Sequence, residues 1–127
     1  MNQLQRETKY TRTVMECLQR KGHATNAELA AAVRRVLPGV SDTTIHRVTQ
    51  RFHKRAHVGI APAAPDGAMR YDSNSEPHDH FMCQGCDTLK DVTIPARIRN
   101  DLEALVDGCC LNGSLLIMGD CKKCKEK

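Results

Sequence analysis

The sequence predicts an α+β protein with two parts, a winged helix-turn-helix followed by a small α/β part. Three apolar segments at helical spacing, separated by turn residues, occupy residues 7–55. Two short extended segments joined by a turn follow them, and two Cys-x-x-Cys pairs lie in the second half. We therefore predict a first domain over residues 1–71, a hinge over residues 72–77 and a second domain over residues 78–127.

The first two helices have clear ends. Apolar residues at helical spacing predict a helix over residues 7–20, which Gly22 ends. Thr25 or Asn26 can cap a second helix, and Pro38-Gly39 breaks the chain after it. The apolar positions of this second helix follow the helical period: Leu29, Val33, Val36 and Leu37.

A third helix and a hairpin complete the predicted winged helix. Ser41 is a strong N-cap, and Asp42 in the first turn complements the helix dipole. Beyond Gly59, two extended segments on either side of a Pro65-Asp66-Gly67 turn predict a hairpin. The buried face of the third helix is predicted to consist of Ile45, Val48 and Phe52.

The second half alternates strand and helix signals. The segments HDHFMC and TLKDVTI predict strands, and Pro95 starts a helix at its favoured first-turn position. Gly108 ends this helix, and CCLNG and SLLIMGDC predict a closing pair of strands. The apolar stripe of the helix consists of Ile98, Leu102, Leu105 and Val106.

Composition and charge restrict the class of protein. Only 3% of residues are aromatic, so two small domains need a metal, a disulfide or a partner chain. No apolar run could span a bilayer and no signal peptide is present, so we expect a cytoplasmic protein without a membrane partner. Residues 1–60 contain 11 Lys and Arg against 4 Asp and Glu, and residues 61–127 contain 8 against 11. This asymmetry suggests a nucleic-acid-binding half, although a solvated basic surface would give the same counts.

Four of the seven cysteines form two pairs, Cys83-x-x-Cys86 and Cys121-x-x-Cys124. In a reducing compartment, two such pairs predict a tetrahedral structural Zn²⁺ site. Two disulfides or two unrelated redox motifs are the alternatives. The cysteines without a spacing partner are expected to be buried core thiols: Cys17, Cys109 and Cys110.

Histidines and aspartates suggest a second metal site. His78 and His80 alternate along a predicted strand, so both imidazoles point to the same side. Asp72 lies six residues before His78, and Asp91 lies five residues after Cys86. This donor set suits Fe(II), Mn(II) or Zn(II), but a solvated loop rich in His and Asp fits the spacing equally well.

The polar side of the third helix is basic. Its side chains would lie along the major groove of DNA, some reaching bases and others phosphates: Arg47, Gln50, Arg51, Lys54 and Arg55. A solvated amphipathic helix without a DNA role is the alternative.

Three segments resemble the ferric uptake regulator family, whose members are metal-dependent, dimeric, winged-helix repressors: RYDSNSEPHDHFMCQGCDTLKDV, GDCKKC and SDTTIHRVTQRF. The similarity is greatest to the peroxide-responsive branch, which has a regulatory iron or manganese site beside a four-cysteine zinc. The resemblance implies that residues 1–71 bind DNA and that residues 78–127 hold the structural zinc and form a homodimer.

Carried over position by position, the resemblance implies site residues. The regulatory Fe(II) or Mn(II) ligands would be His23, Asp72, His78, His80 and Asp91. The DNA-binding residues would be Ser41, Thr43, Thr44, His46, Arg47, Gln50, Arg51 and Lys54. His46 replaces the Tyr that the family usually has there. A further site of iron regulators is incomplete, because Pro77 and Gly113 occupy the positions of two histidines.

The expected function is metal-dependent repression at a palindromic double-stranded DNA operator. By resemblance, peroxide would act through Fe(II)-catalysed oxidation of His23 or His78, and no enzymatic turnover is expected. Three alternatives stay open: an iron or zinc uptake regulator without redox sensing, a zinc-stabilised interaction module with no DNA role, and a metalloenzyme.

Overall fold

The computed structural model describes the backbone of residues 3–126. The chain divides into an N-terminal unit, Met1–Glu76, and a C-terminal unit, Pro77–Lys127. Each unit combines helices with a three-stranded sheet, so the predicted α+β class is confirmed. None of the described helices is long and apolar enough to cross a membrane.

The N-terminal unit has the predicted order of three helices and a hairpin, with one additional strand. Its elements are α1 (Gln3–Lys21), β1 (His23–Thr25), α2 (Asn26–Val33), α3 (Asp42–Lys54), β2 (Gly59–Ala61) and β3 (Arg70–Asp72). Gly22, at a φ of +83°, lets the chain turn from α1 into β1.

Side-chain caps fix the starts of α2 and α3. The Thr25 hydroxyl accepts a hydrogen bond from the Glu28 N–H at 3.2 Å, and the Glu28 carboxylate accepts one from the Thr25 N–H at 2.9 Å. Ser41 Oγ accepts the N–H of Thr44 at 3.1 Å, as its predicted role as N-cap requires. Helix α2 ends at Val33, so the prediction that Val36 continues its apolar face is wrong, and Val36 is 65% exposed.

The three helices pack around one apolar core. The predicted face of α3 is buried, and Phe52 at its end is 5% exposed. The core also contains residues of the other helices and of the sheet: Val14, Cys17, Leu18, Ala24, Leu29, Ala30, Val33, Val40, Val58 and Tyr71. Burial of these side chains holds α3 in place and leaves its polar side outward.

Strand β3 is the middle strand of the sheet. It pairs antiparallel with β2, which confirms the predicted hairpin, and also with β1, which the sequence did not predict. The register places His23 directly opposite Asp72 on one side of β3, and Gly59 opposite Asp72 on the other.

The C-terminal unit is a second sheet with two helices. Its elements are β4 (Asp79–Cys83), β5 (Leu89–Val92), α4 (Ala96–Leu105), β6 (Leu116–Gly119) and α5 (Lys122–Lys125). The central strand β4 pairs antiparallel with β5 and parallel with β6. The parallel pairing requires a long crossover connection, and α4 lies within it.

Two predictions for the C-terminal unit are wrong. Pro95 is the N-cap of α4 rather than a residue of its first turn. Residues 109–113 form a loop instead of a strand, because β6 pairs with β4 and needs no neighbouring hairpin partner. The stripe on α4 has the predicted period but is not buried within this chain, and Leu105 is 79% exposed.

Candidate metal centres and nucleic-acid interface

Four cysteines converge at one end of the C-terminal sheet. Cys83 ends β4, Cys86 follows it in a turn, and Cys121 and Cys124 lie at the start of α5 and within it. Their sulfur atoms all lie within 4.8 Å of one another, with 3.6 Å between Cys86 and Cys121. Four sulfurs around one point suit a single ion better than two separate disulfides or redox motifs.

Backbone donors prepare this cluster for negative charge. Cys83 Sγ accepts N–H groups from Cys121 at 3.2 Å, Gly85 at 3.3 Å and Cys86 at 3.4 Å. The Cys121 N–H contributes most, and together these bonds outweigh burial and lower the pKa of Cys83 to about 6. Hydrogen bonds to the other thiols, first to Cys121, raise the pKa of Cys124 to about 12. A dication would supply the positive charge that four thiolates need, so the residues fit a closed structural Zn²⁺ site.

Of the remaining three cysteines, one agrees with expectation and two differ from it. Cys17 is a buried core thiol of the N-terminal unit, as predicted. Cys109 and Cys110 are exposed, so their prediction as core thiols is wrong. They follow α4 in the 109–113 loop, which packs no side chain into a core.

The N-terminal unit contributes one His–Asp pair. His23 on β1 lies opposite Asp72 on β3, and its Nε2 atom is 3.5 Å from Asp72 Oδ2. Asp72 is 2% exposed, and its Oδ1 atom accepts the Asn74 N–H at 2.9 Å. Because Asp72 is buried and its Oδ1 atom is hydrogen-bonded to the backbone, its Oδ2 atom stays directed at the imidazole of His23.

The C-terminal unit contributes two histidines and an aspartate. His80 on β4 lies opposite Asp91 on β5, with 3.4 Å between Nε2 and Oδ1. His78 Nε2 is 2.9 Å from the same oxygen, and the two imidazole centroids are 4.3 Å apart. The predicted alternation of His78 and His80 therefore brings both rings to one carboxylate.

The two groups share a construction. In each, a histidine and an aspartate occupy opposite positions on paired antiparallel strands, where side chains are close neighbours. Imidazole nitrogens and carboxylate oxygens together suit Fe(II), Mn(II) and Zn(II). These nitrogen and oxygen donors differ from the four thiolates of the zinc site, so they suit a second, separate metal ion.

The predicted DNA-binding residues occupy the polar side of α3. Ser41 and Thr43 are exposed at its start, and Thr44 is half-buried and accepts a hydrogen bond from the Ser41 hydroxyl at 3.0 Å. Arg51 is half-buried, whereas the others along the helix are exposed: His46, Arg47, Gln50 and Lys54. These last four side chains lie on the solvent side of α3, where His46 also contacts the side chain of Asn26 at 3.3 Å.

An open groove runs between the end of α3 and β3. It is lined by Met69 and Tyr71 and by mostly cationic residues of α3 and its C-cap: Arg47, Gln50, Arg51, His53, Lys54 and Arg55. His53 was not predicted, although it follows Gln50 by three residues, a helical spacing. A groove lined by several Arg and Lys side chains favours contact with phosphate.

Two sets of polar interactions were not predicted from the sequence. Asn26 links α2 to α3, because its side chain lies 3.3 Å from His46 Nδ1 and accepts the Thr49 hydroxyl at 2.9 Å. In the C-terminal unit, Asp79 is 5% exposed and lies 2.5 Å from Arg99 of α4. Burial raises the pKa of Asp79, but the Leu115 N–H and the Arg99 guanidinium outweigh it, so that pKa is lowered.

The profile of the ferric uptake regulator family matches residues 3–107. The chain belongs to the ferric uptake regulator family. One relative is the peroxide-responsive repressor PerR of Staphylococcus epidermidis. It is 27% identical to this chain over 109 residues, which cover 83% of this chain and 71% of that protein. The predicted resemblance to the family and to its peroxide-responsive branch is confirmed.

Solved structures of other regulators share the fold. The ferric uptake regulator Fur of Helicobacter pylori, described as having three functional metal binding sites, aligns with a TM-score of 0.75 at 20% identity, over 94% of this chain and 81% of that one. The peroxide stress regulator of Campylobacter jejuni aligns with a TM-score of 0.70 at 23% identity, over 98% of this chain and 100% of that one. This chain therefore has the same fold as these solved regulators.

Proposed function

We propose that this chain is a metal-dependent transcriptional repressor that binds palindromic double-stranded DNA as a homodimer in the cytoplasm. The main support is the repeated cross-strand His–Asp pair. One pair, His23 and Asp72, belongs to the N-terminal unit, and the other, His80 and Asp91, belongs to the C-terminal unit. One Fe(II) or Mn(II) ion bound by both pairs and His78 would hold the two units in a single arrangement.

The structural zinc has a separate role in this proposal. It would be bound by Cys83, Cys86, Cys121 and Cys124, all within the C-terminal unit. Because its ligands do not span the two units, it stabilises the fold of one unit and carries no signal. The regulatory metal ligands come from both units, so only that ion can couple metal binding to DNA binding.

DNA recognition is assigned to α3. Its exposed basic side faces away from the apolar core, and its N-terminus presents Ser41, Thr43 and Thr44. In a dimer whose chains each bind the regulatory metal, two copies of α3 would be spaced to match two half-sites. Metal and DNA are then linked ligands, and each raises the affinity of the protein for the other.

Exposed apolar residues in the C-terminal unit support a homodimer. Leu105 on α4 is 79% exposed, and Met118 on β6 is 51% exposed. Four neighbouring residues are at least 40% exposed: Ile98, Val106, Leu116 and Ile117. A second copy that covered these side chains would remove them from water and supply the core that this small unit lacks.

Peroxide sensing is the finer part of the proposal. Fe(II) held by these ligands would supply the redox chemistry that activates peroxide beside them. The imidazole of His23 or His78 would supply two electrons and gain one oxygen atom from peroxide, and the second oxygen would leave as water. An oxidised imidazole would bind the metal poorly. The two units would then no longer be held in one arrangement, and the affinity for DNA would fall.

Selection from a random duplex library with the Mn(II)-loaded protein tests the proposal. We expect palindromic sequences to be enriched, and we expect the selected duplex to bind about 5- to 150-fold less tightly once Mn(II) is removed, the range of typical coupling between two ligands. Brief peroxide treatment should release DNA from the Fe(II) form and not from the Mn(II) form. Failure to enrich any sequence would favour a zinc-stabilised interaction module, and metal-dependent binding that ignores peroxide would favour a plain metal sensor.

A further inference from the structure

The C-terminal unit has almost no buried side chains of its own. Among its described residues, only Asp79, His80 and Cys83 are buried, and all three lie on β4. Apolar packing therefore does not fix β4 within this chain. Besides its backbone pairing with β5 and β6, β4 is held by polar bonds at its two ends, with the four-cysteine cluster at one end and the Asp79–Arg99 ion pair at the other.

The ion pair connects most of the unit. Asp79 Oδ1 accepts Arg99 Nη2 at 2.5 Å and the Leu115 N–H at 2.8 Å. Arg99 Nη1 donates to the carbonyl oxygens of Leu111 at 3.1 Å and Gly113 at 3.3 Å. The guanidinium thus ties α4 to the start of β4 and to the loop that leads into β6.

Asp79 lies between two candidate ligands of the regulatory metal. Because side chains alternate along a strand, Asp79 points to the opposite face from His78 and His80. His80 is also joined to the same loop, since its N–H donates to the Leu115 carbonyl at 3.0 Å. Movement of Asp79 would therefore move the backbone that carries both imidazoles.

We propose that Arg99 and Asp79 are positioning residues for the regulatory metal, fixing the strand that presents His78 and His80 without binding the ion themselves. This inference rests on the proposed function, because it assumes that these histidines bind the metal. Supporting interactions around metal ligands commonly change affinity by about 10- to 100-fold when they are removed. Asp79, although flanked by two ligands, is held by a guanidinium and does not serve as a third ligand.

Substitution of Arg99 tests this role. Arg99→Gln removes the charge and leaves a buried carboxylate without its cation, whereas Arg99→Lys keeps the charge but lacks the planar fork that reaches three acceptors. Arg97→Gln is the matched control, since Arg97 is exposed on the same helix. Calorimetric titration with Mn(II), zinc content per chain and the thermal unfolding midpoint are measured for each protein.

We expect Arg99→Gln to bind Mn(II) about tenfold more weakly while retaining one zinc per chain, as loss of a supporting interaction predicts. Arg99→Lys should be intermediate, and Arg97→Gln should match the parent. If Arg99→Gln does not fold, Arg99→Lys alone must show weaker Mn(II) binding with unchanged zinc. The double variant Arg99→Gln/Asp79→Asn, which removes both charges, should recover part of the lost affinity.

Two results would overturn the inference. One is Mn(II) affinity in Arg99→Gln and Arg99→Lys equal to that of the parent, and the other is parallel loss of zinc and Mn(II), which marks a general structural role. The His80→Ala variant separates this failure from failure of the proposed function. If His80→Ala binds Mn(II) as tightly as the parent, the histidines are not ligands and both ideas fail.

Discussion

Gly85 lies directly against Cys124 in the four-cysteine cluster. A Cβ atom built on Gly85 would be 2.9 Å from Cys124 Sγ, closer than real Cβ contacts allow, and a tight 3.2 Å from Cys124 Cβ. Gly85 has an ordinary φ, so the requirement for glycine here comes from space and not from backbone conformation. The first Cys-x-x-Cys turn can meet the second only because one of its intervening residues has no side chain.

Gly85→Ala should weaken zinc binding. The added methyl group must displace Cys124 from the other three sulfurs, at a cost of about 1–3 kcal/mol typical of overpacking. Gly113→Ala is the control, because a Cβ atom there meets nothing within 4 Å. The rate of zinc transfer to a chromogenic chelator should rise in Gly85→Ala and stay unchanged in Gly113→Ala. Equal rates in all three proteins would mean that the cluster tolerates the methyl group.

Cys121→Ser should unfold the C-terminal unit. Zinc binding in small domains contributes folding free energy on the order of 10 kcal/mol, and this unit buries few side chains that could replace it. Cys109→Ser, which changes an exposed thiol outside the cluster, should behave as the parent. Zinc content and circular dichroism during thermal unfolding measure the effect. A Cys121→Ser protein with one zinc per chain and parental stability would contradict a four-cysteine structural site.

Local signals in the sequence were enough to predict α1 to α4, but not the short helix α5. Ser41 and Thr25 cap their helices through bonds that span three residues, and the α3 core face follows the helical period. The four cysteines were found for the same reason, since each pair is a local motif. Features that depend only on residues close together in the sequence can be predicted from the sequence alone.

Pairings between distant segments were not predictable in this way. Strand β1 is only three residues long and shows no alternation, so nothing local indicates that His23 lies opposite Asp72. The Asp79–Arg99 pair joins charges 20 residues apart without any motif. The α4 stripe was recognised by its period, but its exposure depends on what covers it, which the single chain does not contain.

Arg47→Ala should weaken DNA binding and lower its salt dependence. Each phosphate contact that is lost should reduce the slope of log affinity against log salt by about one. Arg51→Ala should act in the same direction, with some loss of stability because Arg51 is half-buried. Arg97→Ala, a change to an exposed residue in the C-terminal unit, is the control. Fluorescence anisotropy over a salt series with the selected duplex measures the slopes, and parental slopes in both α3 variants would exclude α3 as the recognition helix.

Peroxide should add one oxygen atom to a histidine of the regulatory site, and only in the Fe(II) form. His23 and His78 are the expected targets by resemblance to the peroxide-responsive branch of the family, and the Nε2 atom of each lies near a carboxylate oxygen, at 3.5 Å from Asp72 and 2.9 Å from Asp91. Mn(II) is much harder to oxidise, so the manganese form should keep unmodified histidines and stay bound to DNA. Zinc-bound thiolates are shielded by coordination, so no disulfide is needed for the response.

Peptide mass spectrometry after brief peroxide exposure distinguishes these outcomes. The peptide containing His23 or His78 should gain the mass of one oxygen in the Fe(II) form, in proportion to the loss of DNA binding. His57, an exposed histidine outside both His–Asp groups, is the internal control and should stay unmodified. Oxidation spread evenly over all histidines would indicate free radicals in solution. Loss of DNA binding with intact histidines and an oxidised four-cysteine cluster would instead place the sensor at the zinc, because only thiol chemistry would then account for the release.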